Sequence, residues 1–374
     1  MEKRGRRYDV DWLRVLAMLM IFFFHCARLF DNDGWQIKNN QLSFSMSVFV
    51  AVVAQWIMPL FFLLSAISSF YALSFRDSRQ YIKERFNRLI IPLVFGIFIV
   101  IAPIQVWIER VSRGQFKGSF IEFYPHYFDG FYGFGGNFAW MGIHLWYLEM
   151  LFIFSLLTLP LFIFLKHKAE NSRISGFASF FEKPGMIYLF SIPVFFIERI
   201  VNLQPEGIGK RDFGGWSLLT YLVFFIYGYV IALDDRFKQA IKKQRNLSFF
   251  LVIITTIIGF LLMNSGWHRS NVAFSLLRSF NSWFWLFAIL GYGSKYLNFK
   301  NRILEYGNTA VLPFYILHQT VIVTIGFFIA GWNINIPLKY ILLSTSSFII
   351  IMAVYDFAVR RINVLRFLFG MKKI

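Results

Sequence analysis

Ten apolar stretches, each near the length that crosses a bilayer core, follow one another from end to end of the chain. They fall near residues 10–30, 44–73, 89–107, 143–165, 185–201, 215–233, 247–264, 281–297, 309–330 and 338–359. A spanning helix needs about 20 mostly apolar residues. With no water in the bilayer core, each stretch has to close its backbone hydrogen bonds within itself, which makes it a helix. The pattern predicts an all-α fold: a polytopic integral membrane helical bundle of about ten transmembrane helices. The second stretch is long enough to be tilted or kinked, with Pro59 as the expected kink. The fifth and seventh are short. No polar linker or change of composition interrupts the series, so residues 1–374 are expected to form a single membrane-embedded domain.

A soluble domain could not hide a chain that is 57% hydrophobic and only 16% charged, with 49 Phe residues, because its exterior needs far more charge. The net charge of +18 could point to nucleic acid, yet the basic residues sit in short clusters between the apolar stretches. A lipid bilayer is therefore the expected partner, and nucleic acid is not. If alternate loops share a side, one side carries 26 Lys and Arg and the other 9, and three more lie in or at the ends of spans. The richer side is cytoplasmic by the positive-inside rule. Both termini are then cytoplasmic, and the long loop near 108–142 faces outward. The basic start from Met1 to Arg7 resembles a signal peptide, but the apolar run from Val10 to about Phe30 is too long for one and no small-residue cleavage site follows. It reads as a retained first helix. The single cysteine, Cys26, excludes an internal disulfide and any Cys-based zinc site. The six histidines are dispersed, so no metal is expected.

The half of the outward loop from Phe120 to Trp140 is dense in Phe, Tyr and Gly. A flap over an outward-facing site and an interfacial aromatic belt both fit that composition. The stretch from Arg360 to Lys373 mixes basic and apolar residues and reads as a membrane-surface helix.

Ionisable residues inside spans cost roughly 2.5–3.5 kcal/mol at the centre and are the first candidates for function. The first span carries Asp11, Arg14 and His25. Asp11 and Arg14, three apart, share a face. Eleven steps of about 100° bring His25 back to within roughly 20° of Arg14, about 16 Å further along the axis. One polar stripe thus crosses most of the bilayer. Two readings stand open for each end: an interfacial pair with a snorkelling Arg14 or a working site, and a helix-to-helix hydrogen bond or catalysis for His25. His144, Trp146 and Glu149 begin the fourth span at a similar depth, and His318 lies near the middle of the ninth. Arg85 and Arg88 stand before Pro92 at the cytoplasmic mouth of the third span, where they also serve the topology signal. Cations at the inner mouth with imidazole and carboxylate near the outer face suit an anionic donor held from the cytoplasm. A neutral His is the natural base for an acceptor hydroxyl, with Glu149 as the expected partner of His25. Replacing His144 or His318 is expected to do less than replacing His25.

The opening Tyr8-Asp-Val-Asp-Trp-Leu-Arg14-Val-Leu-Ala, with His25 after ten intervening residues, resembles the signature of membrane acyltransferase family 3. Four more segments fit it in order: Gln55-Trp-Ile-Met-Pro59-Leu-Phe-Phe-Leu-Leu-Ser65, Arg85-Phe-Asn-Arg88 before Pro92, His144-Leu-Trp146-Tyr-Leu, and Tyr315-Ile-Leu-His318. The ending Val364-Leu-Arg-Phe-Leu-Phe-Gly370 is similar to the periplasmic-glucan succinyl-transfer branch. Ala66 stands where the family often has Gly. The resemblance implies a multi-pass protein of the bacterial inner membrane. Its activity would be acyl transfer from cytoplasmic acyl-CoA, a co-substrate rather than a permanently bound cofactor, to a hydroxyl of an extracytoplasmic carbohydrate or envelope molecule. It also implies that His25 is catalytic, and that Arg14, Arg85 and Arg88 support donor binding. Asp11, His144, Trp146 and His318 would bind substrate or shape the site. Two other classes use the same polar stripe: a transporter or flippase for an anionic or lipid-linked sugar, and a non-catalytic membrane partner.

Overall fold

The computed structural model describes residues 6–99, 101–170, 174–205, 207, 210–211, 214–267 and 271–373. Lys3, Arg4, Arg173 and Arg269, which enter the charge count, lie outside them. Among the described residues the chain is all-helical, with one isolated bridge between Phe131 and Phe138 and no strand. Among the described residues seven helices are long and apolar enough to cross a membrane, or nine if two bent pairs each count as one crossing. Every one of the ten apolar windows falls on a helix, but the number of crossings reaches ten only if Leu218–Leu233, 16 residues long, is added.

Three elements differ from expectation, each for a backbone reason. The second stretch breaks between Ala54 and Ile57 rather than at Pro59. Pro59 has no N–H to give the Gln55 carbonyl four residues earlier, and that carbonyl instead accepts from Trp216 Nε1 at 3.2 Å. The proline sits in the first turn of Ile57–Phe75, where the missing N–H costs nothing. The fifth stretch is the second arm of a pair bent by 115°, and Gly185, at φ +79°, follows Pro184 at the corner. The seventh is the apolar end of a 30-residue helix, Asp235–Asn264. Its polar start, rich in Lys, Arg and Gln, continues the helix because those residues are good helix formers, with the Asp234 side chain capping it through Arg236 N–H.

The chain packs as two compact units. The first comprises Met1–Ala17, Val52–Tyr81 and Phe154–Glu305. In it Gly228 lets Leu218–Leu233 approach so closely that a Cβ would collide with the Leu63 backbone. Phe162 and Tyr229 stack with centroids 3.8 Å apart. The buried Glu198 receives Thr220 Oγ1 at 2.6 Å and Arg211 Nη2 at 2.8 Å, with Arg278 Nη1 at 3.4 Å.

The second unit comprises Met18–Ala51, Ile82–Ile153 and Tyr306–Ile374. Its long segment after Ser112 is ordered by packing. Phe123, Tyr127 and Ala139 form a buried cluster with Ala102 and Val106. Arg110 holds Asn137 Oδ1 and the Gly136 carbonyl, both at 2.8 Å, and Tyr132 donates to Glu109 at 2.6 Å. Burial, reinforced by that carboxylate, pushes the Tyr132 phenol above its ordinary value, so the phenol remains a donor. Phe131 and Phe134 stay exposed at its tip. Elsewhere in the unit, Pro92 cannot donate to the Arg88 carbonyl, and the helix widens into a π turn over Phe86–Ile90, where Ile91 N–H bonds the Phe86 carbonyl. Gly370, at φ +69°, closes over this turn: a Cβ there would stand 2.9 Å from the Arg88 oxygen.

Candidate active site

His25, His144 and His318 come together inside the second unit. His25 lies near the end of Tyr8–Arg28 and is half-buried, with its Nδ1 2.9 Å from Nε2 of His318. His318, on Arg302–Ile329, is fully buried, and its Nδ1 lies 2.6 Å from the Tyr315 carbonyl oxygen. Trp35 lies parallel to the His25 ring at 6.3 Å. The His144 ring stands perpendicular to that of His318 at 5.1 Å.

His144 is held on both sides. Its Nε2 donates to the Ile316 carbonyl at 3.1 Å, which leaves Nδ1 to accept from Gln105 Nε2 at 3.3 Å. Gln105 Nε2 also reaches Thr320 Oγ1 at 2.8 Å, and Gln319 Nε2 donates to Gln105 Oε1 at 3.0 Å. The Tyr315 hydroxyl donates to the His144 carbonyl. A buried polar network of this kind fixes one arrangement of its helices, because leaving any member unpaired in a low dielectric is costly. The turn that presents His144 is strained: Gly142 has φ +72° and the β-branched Ile143 φ +57°, the one positive φ outside glycine among the described residues. Strain of that sort persists where the surroundings over-determine it, and it collects at working sites.

The other expected site residues are distributed as follows. Glu149 is in the second unit, half-buried on Trp146–Leu157, and its Oε2 is a buried oxygen with no hydrogen-bond partner. The ring neighbour of His25 is His318 rather than Glu149. Trp146 is buried at the start of the same helix. Arg85 ends Ser78–Arg85 half-buried, and Arg88 is exposed within the π turn, which shifts it from the i, i+3 alignment of a regular helix. Asp11 and Arg14 belong to the first unit. Arg14 Nη2 donates to Ser68 Oγ at 2.5 Å and Nη1 lies 3.5 Å from Asp11 Oδ1, which also takes Arg6 at 2.9 Å through its second oxygen. Sequence reasoning passed over Gln105, Gln319 and Thr320. The signal was present for Gln105, a lone amide in the apolar run Ile101–Ile108, since an intramembrane amide is expected to bond across helices. No group of three or more His, Cys, Asp or Glu among the described residues is arranged to hold a metal ion.

A family model described as an acyltransferase domain matches residues 7–356. Glucans biosynthesis protein C of Escherichia coli (strain K12) is 22% identical over 378 residues, covering 99% of this chain and 95% of that protein. The protein of the same name from Salmonella typhimurium is 22% identical over 332 residues, covering 87% and 84%. No solved structure matches. The apolar helices make it a multi-pass membrane protein, and with the family signature running through nearly its whole length, the chain belongs to acyltransferase family 3.

Proposed function

We propose that the protein is an O-acyltransferase working as one membrane domain, which carries an acyl group from cytoplasmic acyl-CoA to a hydroxyl of an extracytoplasmic carbohydrate, a glucan or a related envelope glycan. The observation that carries this reading is His25: a partly buried histidine near the end of Tyr8–Arg28, backed by a second, fully buried imidazole. His25 takes the proton of the acceptor hydroxyl as its oxygen attacks the thioester carbonyl. The C–O bond forms, the C–S bond breaks, and the proton returns to the leaving thiolate. A positioned base of this kind contributes about 10²–10⁴-fold. The acceptor class rests on the name of the two relatives and on the aromatic segment bearing Phe131 and Phe134, and the split of 26 basic residues against 9 supports cytoplasmic termini.

Inside-out vesicles containing the protein test the reading. Labelled acyl-CoA added outside is expected to label glycan trapped in the lumen, with epitopes at both termini exposed on the donor side. Glycan movement without acylation would instead favour a transporter.

Arg85 and Arg88 are proposed to hold the donor's phosphates, since paired guanidiniums at a span mouth suit a phosphorylated ligand. The double variant Arg85→Gln with Arg88→Gln is expected to weaken acyl-CoA binding by about tenfold or more in a folded protein. Titration of the purified protein with acyl-CoA measures this, and an unchanged affinity would leave the pair as a topology signal alone.

A further inference from the structure

The three atoms behind His25 determine which of its nitrogens is the base. The Tyr315 carbonyl can only accept, so His318 Nδ1, 2.6 Å away, carries the hydrogen. A neutral imidazole holds one hydrogen, so His318 Nε2 is then a bare acceptor. His25 Nδ1, 2.9 Å from it, has to supply the hydrogen of that contact. The Nε2 of a neutral His25 is left without a proton, on the side of the ring away from His318. We infer that His318 is a positioning residue for acyl transfer: it relays the polarity of a backbone carbonyl to His25 and so fixes Nε2 of His25 as the atom that removes the acceptor's proton. This rests on the reading of His25 as the base.

Two features make the relay one-directional. His318 is fully buried and makes its carbonyl contact within its own helix, three residues back. Rotating the ring by half a turn would set the Cδ2–H group, a far weaker donor, against that carbonyl and break the contact with His25. The relay also serves the reaction beyond the ground state. When His25 gains the acceptor's proton it becomes an imidazolium whose Nδ1–H already points at a neutral acceptor. The hydrogen bond strengthens as charge develops, the condition under which a contact raises the rate of the chemical step rather than the strength of binding. His144, held by Ile316 and Gln105, has both nitrogens engaged and is excluded from the same task.

The test compares His318→Phe, which keeps a ring but has no acceptor, with His318→Gln, whose Oε1 can take the same hydrogen. His318→Phe is expected to lower kcat by about 100-fold with both KM values unchanged, and His318→Gln to stay within about tenfold of the native protein. Equal losses in the two variants, or a loss confined to KM, would overturn the relay. A third measurement needs no change at position 318. In protein labelled with 15N-histidine, the resonances lost in His25→Ala report the tautomer of His25, expected to be Nδ1-protonated when neutral; an Nε2-protonated ring overturns the inference even if His318→Phe fails to fold. Full transfer by His25→Ala would instead sink the reading of His25 as base, whereas an inactive His25→Ala beside a fully active His318→Phe sinks the relay alone.

Discussion

Membranes bearing His25→Ala are expected to make no measurable acylated acceptor, a loss of about 10²-fold at the least, while the protein accumulates and binds acyl-CoA as the native chain does. His25 is only partly buried whereas His144 and His318 are buried, so of the three it is the one proposed to meet a substrate hydroxyl directly. Its removal leaves His318 Nε2 without its hydrogen-bond donor, but an acceptor left bare beside a small void costs far less than a buried charge, and folding should survive. The donor's phosphates are expected to meet Arg85 and Arg88, on other helices, so donor affinity provides the internal control. Initial rates and acyl-CoA binding, measured on one preparation, decide the matter. Near-normal acylation would make the proposed mechanism wrong and leave the family membership standing.

The largest effect on stability is expected at Glu198. Its carboxylate, 3% exposed, is shared by Arg211, Arg278 and Thr220. Arg278 also lies over the Trp216 ring at 3.7 Å and donates to the Gly215 carbonyl at 2.5 Å. This one carboxylate therefore neutralises guanidiniums from two separate segments of the first unit. Glu198→Leu removes the anion that both cations share, and breaking a buried pair from one side costs about 3–5 kcal/mol. Glu198→Gln keeps an acceptor for Thr220 and should fall between. Thermal unfolding in detergent, followed by the loss of the monodisperse fraction, measures the series. A Glu198→Leu protein as heat-resistant as the native one would show that the cluster is not a structural clamp.

Span existence was readable from the sequence because an apolar run has no alternative inside a bilayer. Where a helix bends was harder to read. Pro59 marked the right region, but the break follows the carbonyl it fails to serve, at Gln55, and which side chain would cover that carbonyl depends on the distant Trp216. The polar start of Asp235–Asn264 carries no hydropathy signal, though its residues favour a helix. At the site, helical geometry put Arg14 and His25 on one stripe from spacing alone. It could not identify the residue facing His25, since periodicity fixes directions around one axis and says nothing about neighbouring axes. Spacing put Glu149 near that depth and His318 nearer the middle of its span, and so favoured Glu149. Packing decides otherwise, and it sets the second imidazole against the first.

The closure of Gly370 over the freed Arg88 carbonyl has a practical consequence for handling the protein. A tag or reporter joined within a few residues of Gly370 would pull on a segment seated against the turn that carries Arg88. A C-terminal fusion with reduced activity would then report on the junction rather than on the enzyme, and a long flexible spacer or an N-terminal tag is the sounder choice for the measurements proposed above.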